Sequence, residues 1–269
     1  YKSISGDLYC LVVRDDYSRF SWVMCMAHKS DTFDNLKILF SKLEYLYNLK
    51  IQKIQSDIGT KFKNHAMETL CNELSIHHEF SAPYTPQQNG VAERRNRTLI
   101  EAARSMLAQS GIHPWFWVDA VDTACFTQNR SLIVKRHQKT SYEILKGRRP
   151  EIGFLRMFGS PCFILNQRDQ LKKFDEKADE GIFLGYSRTM KAYRVYNKRT
   201  KIVEESINVR IDESLSTEAS QDHEAMFDFE ELAVPQSESG ETSKAHVVGE
   251  QIEDDEEEIT VGTSKIVYG

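Results

Sequence analysis

Along the first half of the chain, short apolar runs alternate with longer stretches whose apolar residues recur every three or four positions. Leu8–Val13 and Phe20–Met26 are apolar runs joined by Asp15-Asp-Tyr-Ser, the pattern of a β-hairpin. From Asp31 to Leu49, Phe33, Leu36, Phe40, Leu43 and Tyr47 recur at helical steps, and Ser30 or Asp31 can cap that helix. Ile51–Gln55 alternates as a strand does, Ala66–Leu74 reads as a helix, and His78–Phe80 as a short strand. Ser81–Asn89 holds two prolines and runs into Gly90, which predicts a loop. Val91–Gln109 is a helix with Leu99, Ala103, Met106 and Leu107 on its apolar side. Pro114 suits the first position of another helix, running through Trp115, Trp117, Val118, Val121 and Ala124. Strand, strand, helix, strand, helix, strand, helix in this order predicts a mixed α/β sheet with helices on its faces.

The second half reads differently. Residues 130–150 are basic, with Arg130, Lys135, Arg136, Lys139, Lys146, Arg148 and Arg149, and Pro150 marks a boundary. Beyond it, Pro161–Leu165, Gly181–Leu184, Arg194–Tyr196 and Lys201–Val203 are short apolar runs between turn residues, as in a small β-barrel or sheet.

Charge divides the chain more sharply than hydropathy does. The 269 residues have a net charge of −5, yet Asp212 to Gly269 alone carry 17 Asp and Glu against 2 Lys and Arg. That leaves 33 basic and 23 acidic residues in 1–211, a net of +10. A basic body suits a polyanionic partner. The acidic end is rich in Ser, Thr and Glu and contains the block Glu253-Asp-Asp-Glu-Glu-Glu258. It has too little apolar surface to offset the entropy of ordering the chain, so disorder is expected there.

Other classes recede. No run of 18 apolar residues is present, so no membrane-spanning helix and no membrane partner is expected. Tyr1 opens the chain without a signal-peptide pattern, which reads as a piece cut from a longer, intracellular, non-secreted protein. Cys10, Cys25, Cys71, Cys125 and Cys162 are widely spaced, form no Cys-x-x-Cys pair and read as small buried hydrophobes. Trp22, Trp115 and Trp117 read as core residues.

Two carboxylates stand out by context. Asp57 ends the run Ile51-Gln-Lys-Ile-Gln-Ser-Asp57, and Glu93 opens a basic helix that continues with Arg94, Arg97 and Arg104. An acid at a strand end and an acid at a helix start can together hold a divalent metal. Taken alone, Asp57 is equally a strand-end residue turning with Gly59, and Glu93 a first-turn acid favoured by the helix dipole. The arginines are equally a solvated face pairing with Glu101, or phosphate ligands. Asp15-Asp16 reads as a hairpin turn, and His77 and His78, adjacent on a strand, point to opposite faces and cannot share a metal.

The flanking text decides between these readings. Val13-Arg-Asp-Asp-Tyr-Ser-Arg19, Gln55-Ser-Asp-Ile-Gly-Thr-Lys-Phe62 and Pro83-Tyr-Thr-Pro-Gln-Gln-Asn-Gly-Val-Ala-Glu-Arg-Arg-Asn-Arg-Thr-Leu99 resemble the integrase region of copia-type LTR retrotransposon Pol polyproteins. So do Leu155-Arg-Met-Phe-Gly-Ser-Pro-Cys162, Gly181-Ile-Phe-Leu-Gly-Tyr186 and Tyr193-Arg-Val-Tyr-Asn197, and the resemblance spans about residues 1–212. It implies an RNase H-like core over 1–152, an SH3-like β-module over 153–212 and an acidic, disordered linker over 213–269. It also implies DNA 3′-end processing and strand transfer on paired Mg²⁺ or Mn²⁺ ions held by an Asp, Asp, Glu triad.

Asp57 and Glu93 match the second and third carboxylates of that triad. Tyr84 and Asn89 match loop positions that touch DNA, and Arg94, Arg97 and Arg104 lie on the helix that follows element DNA. Ile58 departs from the family, which commonly has Asn there. The first carboxylate is expected upstream of Tyr1, which makes the chain by itself an inactive fragment. The implied partners are element and target DNA and further copies in a homo-oligomer. The implied location is the nucleus or a cytoplasmic particle. The alternative is a non-catalytic nucleic-acid-binding remnant of a transposable element, or an interaction protein acting through its acidic tail.

Overall fold

The computed structural model describes residues 1–47, 50–56, 62, 65–80, 86–166, 177–214 and 261–268, with 86–93 and 261–268 described as backbone. The hairpin is β1 (Tyr9–Asp15) and β2 (Ser21–Met26), followed by helix α1 (Thr32–Tyr47), β3 (Ile51–Ser56), α2 (His65–Glu73) and β4 (His77–Phe80). Two longer helices, α3 (Pro86–Ser110) and α4 (Trp117–Ser131), come next, the second entered through a 3₁₀ turn at Pro114–Phe116. A two-strand ribbon, β5 (Ile133–Val134) and β6 (Lys139–Thr140), leads into the short α5 (Ser141–Lys146). Then come β7 (Pro161–Leu165), β8 (Ala178–Tyr186), β9 (Tyr193–Asn197), β10 (Ile202–Ser206) and β11 (Val209–Ile211), and later β12 (Val261–Tyr268).

The expected mixed sheet with helices on both faces is present. Its strand order is β2-β1-β12-β3-β4, with β1 antiparallel to β2 and β3 parallel to β4. Successive side chains of β1 point to opposite faces, and both faces are covered, which explains its unbroken apolar run. Leu11 and Val13 face α1 and α2, where they join Leu36, Phe40, Ile54 and Met67. Cys10 and Val12 face the other way, into Leu99, Ala103, Trp117 and Val121 of α3 and α4. The cysteines behave as expected: all five are free, four buried and Cys25 half-buried. Trp117 is buried, while Trp22 and Trp115 pack half-buried at the edges of the two cores.

The second sheet has the order β10-β9-β8-β7-β11 and is antiparallel throughout. Cys162, Ile164, Phe183, Tyr186 and Val195 form its core, with Phe126 of α4 packed against them. Helix α4 is therefore shared. Its Thr123 hydroxyl donates to the Leu184 carbonyl in β8 at 2.8 Å, while Asn129 donates to the Ser21 carbonyl in β2 at 2.8 Å. Asp119 and Asp122 of α4 pair with Arg194 and Arg188 at 2.8 and 2.6 Å.

Two expectations change. The loop over Ser81–Asn89 is helical from Pro86 onward, so Asn89 and Gly90 lie in the first turns of α3. Proline needs no amide partner at a helix start, and two glutamines that favour helix follow it. Residues 81–85 lie outside the described residues. The second change is in the tail expected to be disordered over 213–269. Residues 261–268, read there as part of that tail, form β12, parallel to β1 and antiparallel to β3 in the middle of the first sheet. Val-Gly-Thr-Ser-Lys-Ile-Val-Tyr is rich in β-branched and aromatic residues, a local pattern that the acidic average of the tail conceals. Residues 215–260 lie outside the described residues.

Both structural features are testable. Gly185 sits at an irregularity in the β8–β9 ladder with φ +146°, and a Cβ there would lie 2.2 Å from the Thr123 hydroxyl oxygen. Gly185→Ala should cost about 2–3 kcal/mol through overpacking and backbone strain, read as a lowered urea midpoint at unchanged slope. Gly153→Ala, which meets open space, serves as the control and should be nearly neutral. If the two variants are equally stable, the close approach of α4 to β8 is not what holds the sheets together. Deleting 261–269 should speed amide exchange in β1 and β3 while leaving β7–β9 protected, because only the first pair loses ladder partners. Unaltered protection in β1 and β3 would show that β12 does not hold that sheet.

Candidate nucleic-acid interface

Helix α3 has two faces of opposite character. At steps of three and four, Arg95, Leu99 and Ala103 are buried, with Met106 and Leu107 half-buried against α4 and the sheet. On the outer side, Arg94, Arg97, Glu101 and Arg104 are exposed. With 100° per residue, Arg97 and Arg104 fall within about 20° of one line along the helix, and Arg94 lies to one side of it. Among the described residues, neither Arg97 nor Arg104 makes an ion pair with Glu101. These guanidiniums are thus presented to solvent as donors that match phosphate geometry.

Arg95 departs from its neighbours. It is 7% exposed; its Nε donates to the Ser21 hydroxyl at 3.0 Å and its Nη1 donates to the Gln128 side-chain oxygen. Ser21 lies on β2 and Gln128 on α4, so one guanidinium ties α3 to the sheet and to the neighbouring helix. Burial lowers its pKa from the ordinary arginine value. The sequence reading singled out Arg94, Arg97 and Arg104 on this helix and passed over Arg95. The signal was available: position 95 continues the apolar series Leu99, Ala103, Met106 backwards by one step of four.

Asp57 and Tyr84 lie outside the described residues, and Glu93 and Asn89 are placed by backbone only, in the first half of α3. Ser56, which precedes Asp57, is buried at the end of β3 and its hydroxyl is 2.8 Å from His78 Nε2. His77 is exposed and lies 3.5 Å from Glu79, so the two histidines diverge as expected. Asp15 is buried in the hairpin turn, accepting from the Ser18 amide at 2.7 Å, and Asp16 pairs with Arg19 at 2.7 Å. Both acids do structural work in the turn. Among the described residues, no three His, Cys, Asp or Glu side chains cluster as a metal site, and no helix is long and apolar enough to cross a membrane.

Comparison with known proteins gives this geometry a family. Residues 1–86 match the family described as Integrase core domain, and residues 160–225 match the Retroviral polymerase SH3-like domain. The chain carries an integrase core domain followed by a retroviral SH3-like domain. The curated proteins it resembles include plant copia-type Pol polyproteins from transposons. The chain is 33% identical over 213 residues to the Retrovirus-related Pol polyprotein from transposon TNT 1-94 of Nicotiana tabacum, covering 79% of this chain and 16% of that protein. It is 28% identical over 206 residues to the polyprotein from transposon RE1 of Arabidopsis thaliana, covering 77% of this chain and 14% of the other. The chain thus spans less than a fifth of the length of these relatives.

Similar solved structures include the HTLV-2 integrase catalytic core domain in complex with magnesium. It is 21% identical with a TM-score of 0.39, and the match covers 49% of this chain and 80% of that one. A simian T-cell lymphotropic virus intasome in complex with PP2A regulatory subunit B56 gamma is 16% identical with a TM-score of 0.43, covering 72% and 70%. The mixed first sheet with its flanking helices, and a second sheet that falls within the SH3-like match, are both present.

The two faces of α3 predict opposite phenotypes. Arg95→Gln should lower stability by about 2–4 kcal/mol, since it strands buried partners on β2 and α4. Arg97→Gln should change stability by less than about 0.5 kcal/mol. Chemical denaturation of the two variants checks the assignment, and the reverse ranking would remove Arg95 as the anchor of α3.

Proposed function

We propose that this integrase core binds DNA along the outer face of α3 and that Asp57 and Glu93 supply two carboxylates for polynucleotidyl transfer. The observation that carries the reading is the row of exposed guanidiniums, Arg94, Arg97 and Arg104, on the same helix as Glu93. A phosphodiester held by that row lies along the helix that carries Glu93, about two turns in from its start at Pro86. Phosphate contacts of this kind fix the register of the duplex without reading its sequence. Tyr84 and Asn89, on either side of the start of α3, are proposed to contact the same DNA.

The chemistry is that of 3′-end processing and strand transfer, in which water and then a DNA 3′-hydroxyl displaces at phosphorus. Asp57 and Glu93 are the residues that would hold Mg²⁺ or Mn²⁺. When bound, a divalent cation neutralises charge on the phosphate oxygens and lowers the pKa of a coordinated nucleophile. The protein's own part is to hold the phosphate through α3 and to keep α3 at a fixed angle through Arg95. A homo-oligomer is the proposed assembly, since joining two DNA ends calls for two such sites.

Binding measured across a salt series tests the interface. Each of Arg94→Ala, Arg97→Ala and Arg104→Ala should reduce the slope of log affinity against log salt by roughly 0.9. Affinity should fall about equally on unrelated duplexes. Unchanged slopes in all three would leave the row as a solvated face. The catalytic part is tested separately, in a version of the chain extended upstream by an Asp-bearing strand. Asp57→Asn should abolish joining of oligonucleotide ends while thermal stability is preserved, and retained joining would remove Asp57 from the site.

A further inference from the structure

On the other side of α3 from its exposed arginines is a cavity that the DNA-binding reading leaves unused. Its volume is about 270 Å³, and it is lined by Arg14 of β1, Arg19 of the hairpin turn, Arg95 of α3, Gln128 of α4, Lys135 and Ser141 among others. Four of the nine lining residues are cationic and none is acidic. Arg14 shares a face of β1 with Cys10 and Val12 and is therefore directed beneath α3. Its pKa is pushed down to about 10, first by burial and then by the neighbouring Arg95 and Arg19 guanidiniums. Like charges are thus gathered in a half-buried space; Asp16, paired with Arg19 at 2.7 Å, offsets part of the cost, and a bound anion would offset more.

Arg19 has φ +63°, a left-handed conformation that costs a bulky residue about 1–2 kcal/mol. It is held there by its amide, which donates to the Asp15 carbonyl at 3.0 Å, and by its ion pair with Asp16. Arg19 lines the cavity from this turn. A concave space slightly below the usual range of about 300–1,000 Å³ for small-molecule sites suits a compact ligand. Guanidiniums converging from three different elements suit the tetrahedral oxygens of phosphate.

We infer that this cavity between β1, the hairpin turn, α3 and α4 is a binding site for a phosphate group, either free or at the end of a nucleic-acid strand. Positions 93 and 95 are about 200° apart around α3, so the cavity and the Glu93 side of the helix are separate sites. The inference does not depend on Asp57 or Glu93 being catalytic.

Calorimetry on the full chain with inorganic phosphate, at ionic strength matched with sodium chloride, decides it. Calorimetry is preferred to melting, because phosphate salts stabilise proteins generally. Saturable one-site binding is expected. Arg19→Ala and Lys135→Ala, both outside the core, should each weaken it at least about fivefold, as loss of a charge-assisted hydrogen bond does. Arg97→Ala should leave it unchanged. Absence of saturable binding, or equal loss in Arg97→Ala, would overturn the site. A competition arm separates the two sources. Displacement of phosphate by a 5′-phosphorylated oligonucleotide and not by its 5′-hydroxyl twin assigns the strand end, and displacement by neither assigns the free anion. Equal displacement by both would place the binding on the exterior of α3 and overturn the cavity as the site.

Discussion

Burial of helix α4 between two sheets is the constraint on which the rest of the structure depends. One side of the helix meets β2 through Asn129, which both donates to and accepts from the Ser21 backbone. Another meets β8 through Thr123 and Gly185, closely enough that no side chain fits at position 185. Leu184 and Tyr196 of the second sheet lie in the same apolar cluster as Leu99 of α3 and Cys10 and Val12 of β1. The integrase core and the SH3-like sheet therefore share one core, and a change at their junction is felt by both. Asp119 shows the electrostatic side of that junction: burial raises its pKa even though Arg194 lies 2.8 Å away.

With α4 fixed, α3 is positioned by what it buries against α4 and the sheet. Arg95 is central here, because a guanidinium can satisfy two partners on two elements at once, and an aliphatic residue of the same length cannot. The same helix then has a side free to present Arg94, Arg97 and Arg104 outward. One basic segment thus carries two kinds of arginine. Those turned outward keep their hydration, whereas Arg95, and Arg14 and Arg19 near it, line a half-buried space where charge is costlier to hold. A count of basic residues treats them alike; their environments do not.

Much of this was legible from residue order. The hairpin, α1, β3, α2, β4 and the four strands β7 to β10 lie within a few residues of where periodicity put them, because each is specified by its own alternation or amphipathic spacing. Family membership was legible as well, since Pro83–Leu99 and the shorter motifs are contiguous stretches of sequence. Asp57 and Glu93 were singled out through the same local context. The start of α3 at Pro86 was misjudged, because proline and glycine punctuate loops and helix starts alike, and only the following turns distinguish them.

What tertiary structure alone decided involves contacts between residues distant in sequence. No local pattern places Arg95 against Ser21 and Gln128, 74 and 33 positions away. None puts Val261–Tyr268 between β1 and β3, since strand pairing is a long-range choice and the acidic average of the tail hides eight residues of strand-forming sequence. Nor does any local pattern bring Arg14, Arg19, Arg95 and Lys135 to one cavity. The sequence by itself determined which segments fold locally and which family they belong to, because propensity and motif are short-range properties. The fold decided which charges face water and which face one another, because burial is a property of the assembled chain.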